Sequence, residues 1–101
     1  MNTTEITIND QKYECRLTAK KCVELERQFG KNPLTMFIGG LPKLSDAIKV
    51  FQVSSGVTED KAYELYDCYV EEGHSMPEFI DFVMKIFTDS GFLRKDEDSK
   101  N

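Results

Sequence analysis

An α+β fold, mainly α, with an N-terminal β-hairpin packed on a small bundle of three to four helices, is what three observations in this sequence predict. Apolar residues alternate over Thr4 to Thr18, as they do in a half-buried strand pair. From Ala19 onward they recur instead at helical spacing, broken by glycine or proline at Gly30, Pro33, Gly56, Gly73 and Gly91. No strand–helix–strand alternation, internal repeat or linker divides the 101 residues, so residues 1–93 form one domain and 94–101 a mobile charged tail.

The hairpin comes first. Ile6 and Ile8 share one face of a first strand, Tyr13, Cys15 and Leu17 one face of a second, and "NDQK" between them supplies turn residues. A two-stranded ribbon is marginal in water, so its apolar face must lie on the helices that follow.

Thr18 can cap the first helix by accepting from a free amide of its first turn, and Ala19, Cys22, Val23, Leu25 and Phe29 then fall at helical spacing. Gly30 suits the left-handed residue that ends such a helix, and Pro33 stops it from resuming. Leu34 to Ile38 form a short helical turn before the Gly39-Gly40 break. Leu44, Ala47, Ile48 and Phe51 mark one stripe of a second helix that ends before Gly56.

A third helix opens at Thr58, where Glu59 and Asp60 favour the positive end of the helix dipole and Val57 can pack on Ala62. Its core stripe is Ala62, Leu65, Tyr66, Tyr69 and Val70. Ser75-Met76-Pro77-Glu78 has the Ser-x-x-Glu form of a capping box, with proline tolerated in the first turn, so a fourth helix runs from Met76 to about Asp89. Phe79, Phe82, Val83, Ile86 and Phe87 give it a broad apolar face, and Gly91 stops it.

Composition narrows the function classes. With 40% hydrophobic and 31% charged residues the chain is an ordinary soluble globular sequence. Its net charge of −5 is uneven: residues 1–49 hold eight Lys or Arg against six Asp or Glu, and residues 50–101 hold five against twelve. That balance repels a phosphate backbone and suits a basic protein partner, so neither nucleic acid nor, for want of an apolar run of about 20 residues, a membrane is expected. Three cysteines, an odd number with no signal peptide before them, fit free thiols in a reducing cytoplasm.

Candidate chemistry is sparse. His74, the single histidine, lies in the loop "EEGHSMPE" near Cys68, but no oxyanion-type glycine turn flanks that cysteine. Cys15, Cys22, Cys68 and His74 lack the close ligand pairs of a structural zinc site. Gly30-Lys31 and Gly39-Gly40 do not form a phosphate loop, which needs a strand before it and a helix after it. No catalytic residue, metal or cofactor is therefore assigned.

Three features point to protein partners, each with a blander alternative. Asp60, Glu64, Asp67 and Glu71 recur at spacing four, three, four as one acidic line on the third helix: a solvated face, or a docking face for a basic helical partner. Phe92 and Leu93 either fold back on the last helical turn or anchor another protein. Met36, Phe37 and Ile38 pose the same choice between self-packing and partner contact.

The hairpin "ITINDQKYECRLT", the helix end "ELERQFGKNPL", the helix "LPKLSDAIKVF" and the closing "FIDFVMKIFTDSGFL" together resemble the small tail assembly chaperones of long-tailed phages and prophages of Gram-positive bacteria. The resemblance runs from about Thr4 to Leu93, and its specificity lies in the combination rather than in any one motif. It implies a non-enzymatic protein of the host cytoplasm, absent from the mature virion, that keeps the aggregation-prone tape measure protein soluble while tail tube subunits polymerise around it. It also implies a frameshift-extended form that recruits tail tube protein. Lys100-Asn101 is what a slippery A AAA AAC or A AAA AAT heptamer would encode, a hypothesis that a codon other than AAA at Lys100 would remove. The family hands over no catalytic or ligand residues. Two other readings compete: a small helical DNA-binding or regulatory protein using Lys20 and Lys21, and another morphogenesis factor such as a head-tail joining protein.

Overall fold

A computed structural model describes residues 2–94; the expected charged tail lies, from residue 95 on, outside the described residues. Strands β1 (Thr4–Ile8) and β2 (Gln11–Cys15) pair antiparallel, with Thr4 opposite Cys15, Ile6 opposite Tyr13 and Ile8 opposite Gln11. The turn is tighter than the sequence suggests. Only Asn9 and Asp10 form it, with φ of 56° and 65°, conformations that these residues tolerate because their short side chains can bond locally. Gln11 and Lys12 are already strand, and the strand ends at Cys15, with Arg16 and Leu17 leading into the first helix.

Four α-helices follow: α1 (Ala19–Phe29), α2 (Leu44–Ser55), α3 (Glu59–Glu71) and α4 (Met76–Asp89). Their ends match the capping chemistry. The Thr18 hydroxyl accepts from the Lys21 amide, Thr58 from the Lys61 amide, and Ser75 and Glu78 satisfy each other's amides in a complete capping box. Gly30 closes α1 in the left-handed region at φ 73°.

One core joins hairpin and helices. Ile6, Ile8, Cys15 and Leu17 from the hairpin side meet Ala47, Ile48, Val50 and Phe51 of α2, Leu65 of α3, and Phe79, Val83, Ile86 and Phe87 of α4. At its centre the Phe51 ring meets Phe79 edge-on at 5.9 Å and Tyr13 at 6.5 Å, the geometry that aligns ring edges with electron-rich faces. Burying each such side chain is worth about 1.5–3 kcal/mol, which is how the helices hold a hairpin that would not persist alone.

The last turn of α4 ties down the open end of the hairpin. Thr4 Oγ1 donates to Asp89 Oδ2 at 2.8 Å, and the Leu17 amide donates to Ser90 Oγ at 2.9 Å. Beyond it, the Gly91 amide donates to Thr88 and the Phe92 amide to Phe87, paired bonds that satisfy the last carbonyls of the helix.

Several expected core positions are corrected. Ala19 and Val23 are exposed and only Leu25 of α1 is buried, because α1 packs through one narrow stripe at the margin of the bundle. Val70 of α3 is also exposed, whereas Val50 and Ser54 of α2 and Ile80 of α4 are buried. The expected turn over Leu34 to Ile38 is a 3-10 turn over Pro33–Phe37, one residue earlier. With three residues per turn, Pro33 and Met36 share its inner face, and both are buried.

Candidate functional site

The acidic line is built by the way α3 packs. Ala62, Leu65 and Tyr69 turn inward, so positions two residues away from them, about 200° round the helix, turn to solvent. Asp60, Glu64, Asp67 and Glu71 are all exposed there. The Lys61 ammonium lies 3.9 Å from Glu64, but Asp60, Asp67 and Glu71 have no ion-pair partner among the described residues. Next to the line, the Glu72 carboxylate accepts from the Asn9 amide, which fastens the hairpin turn to the end of α3. Like charges three and four residues apart repel by a few tenths of a kcal/mol per pair, so the line raises the energy of α3 slightly.

The apolar candidates divide by depth. Met36 is 5% exposed and belongs to the core. Phe37 is half-buried, its ring edge-on to Phe87 at 5.7 Å. Ile38, at 77% exposure, and Leu41, at 62%, stand out from either side of Gly39-Gly40. Leu41 escaped the sequence reading, although an apolar residue between a glycine pair and Pro42 has little chance of burial in either neighbouring helix. Phe92 and Leu93 are half-buried and pack against the core beside the α4 stop, which is the self-packing alternative.

The remaining chemistry-bearing residues stay apart. His74 stacks on Tyr69 with ring centroids 4.2 Å apart, its Nδ1 3.6 Å from Glu78 Oε1. The bond from the Ser75 amide, aided by His74, holds the Glu78 carboxyl below the usual carboxylate range. Cys68 instead lines a cleft of about 370 Å³ between α3 and the hairpin, with Tyr13, Lys61 and Leu65 among its walls. Burial pushes the Cys15 thiol up to about 11 and raises that of Cys22 as well, the opposite of what a nucleophile or metal ligand needs. Among the described residues no three His, Cys, Asp or Glu side chains are grouped to hold a metal ion, and no helix is long and apolar enough to cross a membrane.

A family model matches residues 1–101, the whole of the chain. The chain belongs to DUF6096, a family of unknown function. Nothing among curated proteins or solved structures matches it. For this DUF6096 chain the functional surface must therefore be argued from its own residues: an acidic helix face, and an apolar pair on a glycine loop.

Proposed function

We propose that this chain is a non-enzymatic tail assembly chaperone, which binds the tape measure protein of a long-tailed phage or prophage and keeps it soluble during tube assembly. The observation that carries the proposal, beside the sequence resemblance, is the row of exposed carboxylates on α3, three of them without an ion-pair partner among the described residues. A basic helix laid along α3 would remove their mutual repulsion and bring opposite charges into register, which favours fast and specific association. Ile38 and Leu41 supply the apolar contact that a long amphipathic helix needs to hide its stripe from water. In this role the chain works in the bacterial host cytoplasm, leaves before the virion matures, and engages tail tube protein through a frameshift-extended form.

Co-expression tests the role directly. Tape measure protein should move from the insoluble to the soluble fraction when this chain is present, and unchanged solubility refutes the chaperone. Replacing Asp60, Glu64, Asp67 and Glu71 by Gln should leave the circular dichroism spectrum intact and weaken binding, with most of the remaining salt dependence lost. Equal affinity in both forms would make the row a solvated face only.

A further inference from the structure

The hairpin has one open edge whose charges are ordered. Because Asn9-Asp10 is a two-residue turn, Ile8 and Gln11 beside it form a hydrogen-bonded pair, and bonded and non-bonded pairs alternate from there. The backbone groups of Gln11, Tyr13 and Cys15 thus face β1, and those of Lys12, Glu14 and Arg16 face away. The Arg16 amide obeys this parity, donating at 3.1 Å to the Ser54 carbonyl at the end of α2, and so closes the edge at that point. Lys12 and Glu14 occupy what remains; both are exposed, and their amides have no acceptor beyond the hairpin among the described residues.

We propose that this segment of β2 pairs antiparallel with β2 of a second copy, about a two-fold axis at Tyr13. In that register Lys12 of each copy lies opposite Glu14 of the other, so both charges within β2 meet their opposites. The neighbouring registers of the same parity fail. Centred on Lys12, they oppose lysine to lysine; centred on Glu14, they oppose glutamate to glutamate. Charges on an edge strand ordinarily guard it against pairing, and of the three alignments centred within Lys12 to Glu14 that keep this parity one alone lifts the guard.

Two further features favour β2 over β1. The outward residues of β1 are Glu5 and Thr7, and no self-pairing of that strand brings opposite charges together. Within the hairpin, Glu14 lies directly opposite Glu5, whose charge is met by Lys12 at 3.7 Å, while Glu14 has no ion-pair partner among the described residues. A second copy's Lys12 supplies one. The window is short, so the dimer is weak, with a dissociation constant of about 10 µM to 1 mM. It does not depend on the proposed chaperone role.

Sedimentation equilibrium of the full chain up to about 1 mM tests it. The expected weight-average mass climbs with concentration from 11.6 kDa to about 1.5–1.9 times that value at the top of the range. Lys12→Glu and Glu14→Lys, each placing like charges opposite across the axis, should each weaken the dimer at least about tenfold, and the double reversal should restore it to within about threefold. Glu14→Lys also relieves the facing Glu5–Glu14 pair, so its monomer should melt no lower than wild type even as the dimer is lost. A monomer at every concentration, a dimer indifferent to the single reversals, or a mass that keeps rising as head-to-tail pairing of β1 with β2 would produce, overturns the proposal.

Discussion

Thr4→Val should cost this small protein a tenth or more of a typical domain's stability without changing its shape. Thr4 is 3% exposed, and its hydroxyl donates at 2.8 Å to a carboxylate whose side chain is 9% exposed. A hydrogen bond to a charged acceptor is worth about 1.5–3 kcal/mol. Valine has the same shape, and its added methyl recovers at most about 0.8 kcal/mol by burial. Asp89 keeps the Lys85 ammonium at 3.0 Å, so the carboxylate is not stranded. The net loss is therefore about 1.5 kcal/mol, or about 6–12 °C in Tm for a domain of this length. Urea unfolding followed by far-UV circular dichroism measures it, with Thr3→Val, at an exposed neighbour, as the control. The m-value should stay constant, since the surface exposed on unfolding is the same. A loss within about 0.5 kcal/mol of the control would mean that the tie between β1 and α4 contributes nothing, and that core packing alone holds the hairpin.

Gly91→Ala isolates a backbone effect: φ is 93° there and a Cβ would meet nothing within 4 Å, so any loss, expected at about 1 kcal/mol in thermal melting, is the strain of a left-handed alanine. Cys15 should resist thiol reagents at pH 8 until the protein unfolds, because it is fully buried. Its folded pKa of about 11 lies above the unfolded 9.0, so the unfolded chain loses the proton first as pH rises. The group's contribution is thus complete below pH 9.0 and fades toward pH 11, and Cys15→Ala should flatten that part of the stability profile.

Local chemistry made much of the fold legible. A capping box, threonine caps and glycine stops act within one turn of chain, so the ends of α1, α3 and α4 follow from a few neighbouring residues. What the sequence leaves open is which side of an element finds a neighbour. Val23 has the right spacing for a core residue, yet α1 lies at the margin and turns it outward at 48% exposure. Met36 and Ile38 are equally apolar, and only the three-residue period of the 3-10 turn sends one inward and the other out. The acidic line was fully legible, because helical spacing alone puts its four members on one side. The open edge of β2 was not, since the parity of its hydrogen bonds depends on a turn two residues shorter than "NDQK" suggests.

The ties between the hairpin and the end of α4 also set the order of events during synthesis. Thr4 and Asp89 are 85 positions apart in the chain, and Leu17 and Ser90 are 73 apart. At about 5–20 residues per second, a ribosome needs several seconds between making the hairpin and making its anchor. Through that interval the first strands lack α4, and their edges and apolar face are open to other nascent chains. The charges along β2 then turn away every pairing but the matched one while the polypeptide is still unfinished, and the last helix, on reaching the surface of the ribosome, closes the molecule around its beginning.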